Sequence, residues 1–242
     1  MPRDWDHISK MELSYNEVAS VAVRKKSLQD KDIKSSRLLF TDASLKTRKP
    51  IPIEVDVYAV LSGIPFNTKV LEQIFLVQQE LKESLINTCS YFVELENLGV
   101  EYAVLKWPQD MLHQGITEQA CKLIANNLPN AFELKVIGIQ VHADGCIILK
   151  GVDQRCEILH LRQKLVENIN LIPRKQSNWT HIPLGRILEP LDFNKFRKLK
   201  SVICQLNKKI NFSVLIEEIH VVHETRWYME SKEYLKSFRL EK

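Results

Sequence analysis

Seven histidines carry the side chains of this 242-residue sequence that ordinarily titrate near neutral pH. Their spacing decides which of them can act together. His220 and His223 are three apart in a stretch that reads as strand. Residues three apart on a strand point to opposite faces, so these two do not form a metal site. His142 precedes the turn Ala143-Asp144-Gly145, and His160 lies in a helical pattern; neither has a companion, and both read as structural. His7 lies in an unassigned N-terminal stretch. Glu217-Glu218 reads as one exposed and one partly covered strand residue, not as a catalytic carboxylate pair. Trp227 and Tyr228 have the chemistry to stack on a base, although core packing is the commoner use of such residues. The other two histidines are His113 and His181.

His181 lies in Trp179-Thr180-His181-Ile182-Pro183-Leu184-Gly185-Arg186-Ile187-Leu188, a short apolar run stopped by Pro190. Proline within such a run marks an edge strand or a bulge, so His181 belongs at an edge or a site. His113 lies in Trp107-Pro108-Gln109-Asp110-Met111-Leu112-His113-Gln114-Gly115-Ile116, ahead of a helical pattern over Thr117–Leu128.

The elements that must position these residues follow from periodicity. Alternation predicts strands over Val55–Leu61, Ser90–Glu94 and Val100–Lys106, and a hairpin of Phe132–Val141 with Cys146–Gly151. Apolar stripes predict helices from Asn67 or Thr68 to about Leu85, over Glu157–Ile169, and over Leu191–Leu206. Phe212–Val222 reads as a strand. Val18–Val23 reads as a short strand. Residues 27–50 are polar and weakly periodic and read as a long loop or hairpin arm. The chain thus divides into an N-terminal extension or arm, 1–50, and a single domain, 51–242.

Composition is that of a globular protein, 45% hydrophobic and 26% charged, with a net charge of +4. That charge permits an anionic ligand without demanding one. The clusters Arg24-Lys25-Lys26, Arg197-Lys198-Leu199-Lys200 and Lys208-Lys209 read as solvated faces. No apolar run reaches the ~18 residues of a membrane helix, and the N-terminus lacks the apolar core of a signal peptide. Five cysteines without CxxC spacing point to reduced thiols and a cytoplasmic setting. No metal cluster and no cofactor motif is read.

The run His181-Ile182-Pro183-Leu184-Gly185-Arg186 resembles the second signature of the 2H phosphoesterase superfamily, which includes RNA 2′,3′-cyclic phosphodiesterases and 2′-5′ RNA ligases. That signature is His-x-Thr/Ser-x, commonly continued by Leu-Gly-Arg. Pro183 stands at its hydroxyl position. The family carries a second such signature in its other lobe. Leu112-His113-Gln114-Gly115-Ile116 is similar to it, with Gly115 at the hydroxyl position. A rival placement is Tyr102-Ala103-Val104-Leu105, with Tyr in place of His. The order strand, helix, strands, His, helix, hairpin, helix, His, helix, hairpin strengthens the resemblance from about Val55 to Leu240.

The resemblance implies an α+β fold of two pseudo-symmetric lobes, each an antiparallel sheet with outer helices, around a central cleft. It implies that His113 and His181 share acid and base roles in opening a 2′,3′-cyclic phosphate or a short 2′-5′-linked oligonucleotide, without metal. Gly115 through its backbone, Pro183, Arg186, Tyr58 and Lys150 are the candidates for the phosphate site. A nucleotide or short RNA is the expected ligand, and the expected protein is a monomer. With both hydroxyl positions substituted, the alternative is a module on the same fold that holds a nucleotide or RNA end without turning it over.

Overall fold

The computed structural model describes residues 4–242, with the side chains of all of these except residues 4–6 and 20–23. Two antiparallel sheets organise it. Sheet one has the order β3 (Gly99–Lys106), β1 (Glu54–Gly63), β8 (Glu218–Arg226), β9 (Ser231–Arg239). Sheet two has the order β2 (Ser90–Phe92), β6 (Ile182–Ile187), β5 (Cys146–Asp153), β4 (Phe132–Val141), β7 (Phe212–Ile216). The two sheets meet where β3 approaches β6. This is the expected α+β arrangement of antiparallel sheets with helices outside.

The strands follow from alternation. On β1, Val57, Ala59 and Leu61 form one small apolar cluster with Val104 and Val222, while Val60 joins the main core on the opposite face. The outer helices carry one apolar stripe each. In α4 (Thr68–Ser84), Val70, Ile74, Val77 and Leu81 are buried at helical spacing, and the Asn67 side chain caps the start by accepting from the Val70 N–H at 3.1 Å. In α7 (Phe193–Lys209), Phe196, Leu199 and Leu206 are buried behind the Asp192 cap. Each such buried side chain contributes ~1.5–3 kcal/mol. Helix α7 packs on β4 and on α4. Helices α5 (Ile116–Ala125) and α6 (Glu157–Asn168) pack together, and α6 also covers β3.

Three expectations are corrected. Val18–Val23 lies within α1 (Asp4–Arg24) and is helical. Neither Gly nor Pro interrupts residues 5–26, so a helix runs through the β-branched residues, whose strand preference depends on context. Residues 27–50 are not a loop or hairpin. They hold α2 (Asp30–Arg37) and α3 (Asp42–Lys46), and Leu28, Ile33 and Phe40 enter the core. In α2, Asp30 and Asp32 sit in the first turn and Lys34 and Arg37 in the last, which suits the helix dipole. The Phe212–Val222 run is two strands, because β7 pairs with β4 in sheet two whereas β8 pairs with β1 in sheet one.

Candidate functional site

A cleft of about 550 Å³ opens between the sheets. From sheet two it is lined by His181, Pro183 and Arg186, and from sheet one by Leu61, Gly99, Glu101 and Glu224. The turn after β8 adds Trp227, Tyr228 and Met229, and Trp107 and Lys175 complete the wall.

Pairing register decides which β3 side chains reach this cleft. Leu61 of β1 pairs with Glu101, whereas Val60 pairs with Ala103, so Tyr102 is skipped. This irregularity turns Glu101 to the same face as Leu61. Gly99 lies two residues earlier on that face. The cleft therefore receives a Gly99-x-Glu101 pair from β3 and a His181-x-Pro183 pair at the start of β6. Tyr102, the rival to His113, is fully buried, and its hydroxyl bonds the Ser62 hydroxyl at 3.0 Å.

His181 is half-buried, and its ring stands edge-on to Trp179 at 5.9 Å. Burial first, then His142, Arg162 and Arg186 nearby, push its pKa down to about 4. The imidazole is thus neutral at pH 7 and serves as a hydrogen-bond acceptor or weak base. Glu224 behaves in the opposite sense. Its carboxylate accepts from the Met229 N–H at 2.9 Å, yet burial pushes its pKa up to about 7. Burial also raises the pKa of Glu101, against the lowering effect of Arg162. Near neutrality Glu224 is the group that holds a proton, and the His181 imidazole does not.

Two arginines brace the site. Arg162 of α6 donates through Nε to the Tyr102 carbonyl, and through Nη2 to the carbonyls of Glu101 at 3.0 Å and Trp179 at 3.1 Å. One guanidinium thereby ties β3 to the residues leading into β6. Arg186 donates through Nε to the Tyr228 hydroxyl at 2.6 Å, and through Nη1 to the Asp144 carboxylate at 2.9 Å and the Ser36 hydroxyl at 2.7 Å. Gly185 beside it is required by a close approach: a Cβ there would lie 2.1 Å from the Tyr91 carbonyl oxygen of β2.

Of the residues singled out from sequence, the fold brings His181, Pro183 and Arg186 into one cleft. It does not bring His113 there. His113 is exposed and lines a neighbouring hollow of about 750 Å³, with Met111 and Arg174, which shares only Trp107, Gln109 and Lys175 with the cleft. Gly115 is the N-cap of α5 at φ 78°, so the 113–115 turn starts a helix. Tyr58 alternates with Val57 and Ala59 and faces away from the cleft, stacked on His223 at 4.3 Å. Lys150 does not line the open cleft. Among the described residues no three of His, Cys, Asp and Glu come together as a metal-ligand set, and no helix is long and apolar enough to cross a membrane. The sequence reading missed Glu101, Glu224, Gly99 and Arg162. The signal for Glu101 was a lone charge in the apolar run Gly99–Leu105.

No family model and no curated protein matches the chain. Solved structures do. TT0787 of Thermus thermophilus is 14% identical, with a TM-score of 0.55 over 76% of this chain and 97% of that one. Escherichia coli LigT complexed with 3′-AMP is 15% identical, with a TM-score of 0.51 over 78% of this chain and 100% of that one. A conserved protein of unknown function from Agrobacterium tumefaciens is 12% identical, with a TM-score of 0.56 over 76% of this chain and 86% of that one. With two antiparallel sheets, outer helices and a cleft between them, this chain has the 2H phosphoesterase-like fold.

Proposed function

We propose that the chain binds a nucleotide or an RNA end in the cleft between its sheets and does not open a cyclic phosphate by the two-imidazole route. The observation that carries this reading is the content of the two cleft-facing pairs. One holds His181 and Pro183, the other Gly99 and Glu101, so a single imidazole and no hydroxyl stand at the four positions. The His113–His181 partnership has no support from the geometry, since the two line different hollows.

Binding has support of its own. The cleft is of ligand size. Trp107 and Trp227 offer aromatic faces to a base. Lys175 offers a positive charge at the wall. LigT, which shares the fold, is seen with 3′-AMP. Hydrolysis of a 2′,3′-cyclic phosphate is the second reading. It draws on one feature, a proton-holding Glu224 in the same cleft as a neutral His181, which is an acid and a base of unequal strength.

Tryptophan fluorescence during titration with 3′-AMP tests the binding. A saturable change that disappears in Trp227→Ala is expected. No change at millimolar ligand, or an unaltered titration in Trp227→Ala, would contradict binding in this cleft.

A further inference from the structure

Beneath α1 the cleft face of sheet two continues out of sight. Gln140 of β4 pairs with Ile148 of β5, and Ile148 pairs with Pro183 of β6. Cross-strand partners share a face, and Pro183 lines the open cleft, so Gln140 and Ile148 extend that same face. Lys150 lies two residues beyond Ile148 on this face. His142 follows Gln140 by two residues, and its electrostatic influence reaches His181. The face is therefore continuous with the cleft and polar at Gln140, His142 and Lys150.

Helix α1 packs against β4 and β5 and covers this face. Tyr15 is fully buried, stacks on Trp179 at 4.9 Å and donates to the Gly151 carbonyl at 3.4 Å. Ser14 accepts from the Trp179 indole N–H at 3.0 Å. Glu12 lies close enough to Lys150 to act on its charge. The cover does not satisfy what it hides. Gln140 is 3% exposed, and neither its Nε2 nor its Oε1 has a hydrogen-bond partner among the described residues. The Nε2 of His142 is likewise buried without one. Folded proteins rarely leave both ends of a buried amide unpaired, and such groups in a native structure call for an explanation.

We infer that α1 is a detachable cover over the sheet-two half of the cleft, and that Gln140, with His142 and Lys150, forms a subsite for the adenine edge of a bound nucleotide. The inference rests on the nucleotide-binding reading above and specifies it. A glutamine amide offers one donor and one acceptor side by side, which is the complement of the N6 amino group and N7 of adenine. The ligand gains these contacts only where α1 has left, so the closed fraction of the protein lowers its apparent affinity.

The test uses the full chain and 3′-AMP. Hydrogen exchange is followed with and without ligand, and affinity is measured for the wild type, Tyr15→Ala, Ser14→Ala and Gln140→Leu. With ligand, amides of α1 are expected to exchange faster while β4 and β5 stay protected. Tyr15→Ala is expected to bind about tenfold tighter, and Ser14→Ala to shift affinity less in the same direction. Gln140→Leu is expected to bind about tenfold more weakly without loss of thermal stability, which a merely structural glutamine would not do. Equal affinities across all four proteins, or α1 amides slowed by ligand, would overturn the inference and leave nucleotide binding standing. Absence of binding in the wild type and in Tyr15→Ala alike would remove both.

Discussion

Glu101 and Glu224 stand on one face of sheet one with β1 between them: Glu101 pairs with Leu61, and Glu224 pairs with Val57. Leu61 and Val57 belong to the same apolar cluster, so both carboxyl groups are held against hydrocarbon at the floor of the cleft. Glu224 is 3% exposed, and burial makes each carboxyl group resist ionisation. A cleft expected to carry two imidazoles carries instead one neutral imidazole and two reluctant acids.

The pH dependence of stability follows from Glu224. Its folded pKa is raised to about 7 from an ordinary value of 4.5. A raised folded pKa gives stability that is fully present below pH 4.5 and is lost as pH rises through 7, by about 3 kcal/mol. Glu224→Gln does not ionise and keeps an oxygen for the Met229 N–H. The variant should gain about 3 kcal/mol relative to the wild type between pH 4.5 and pH 8 in urea unfolding. Parallel stability profiles for the two proteins would contradict it.

Ligand affinity should respond to Glu101. An ionised carboxylate about 5 Å from a phosphate charge, at an effective dielectric constant of about 20, opposes binding by about 3 kcal/mol. Glu101→Gln should therefore bind 3′-AMP roughly 10–100-fold tighter than the wild type at pH 8. Burial raises the pKa of Glu101, so falling pH neutralises it and the advantage should shrink toward pH 5. Calorimetric titration at both pH values measures this; a constant ratio would place the phosphate elsewhere.

Arg162 ties the two lobes together. Its Nε and Nη2 serve three carbonyls, those of Tyr102, Glu101 and Trp179. Hydrogen bonds from a charged donor contribute ~1.5–3 kcal/mol each. Arg162→Met should lose about 3 kcal/mol or more in urea unfolding, and the amides around Trp179 and His181 should exchange faster. A loss under about 1 kcal/mol would mean that the clamp is not energetically important.

What could be read from the sequence separates along physical lines. Most strands and helices were legible, because stripes such as Val70, Ile74, Val77 and Leu81 record burial directly. Helix α1 was not, since Val18, Val21 and Val23 carry strand preference while the helix is decided by packing on β4 and β5. The motif Leu184-Gly185-Arg186 was legible, but for structural reasons: Gly185 lets β2 approach, and Arg186 is engaged by Asp144, Ser36 and Tyr228. Glu101 was not read as a cleft residue, because the Leu61–Glu101 register brings it there and no imidazole marks the position.

Gly185→Ala checks the structural role of that glycine. Its Cβ would meet the Tyr91 carbonyl at 2.1 Å, so β2 must move away from β6. Thermal unfolding should show a loss of at least about 2 kcal/mol. Pro183→Thr, which places a hydroxyl on the cleft wall, should cost far less. Equal effects would show that the glycine is not needed for close approach.

The most direct measurement is the ³¹P spectrum of 2′,3′-cyclic AMP held for hours with a stoichiometric amount of the full chain in the absence of metal. The cyclic phosphate resonance should broaden or shift on binding and persist, with no monophosphate signal. Appearance of a 2′- or 3′-monophosphate with wild-type protein, abolished in His181→Ala, would show that the cleft turns its ligand over and would contradict the account.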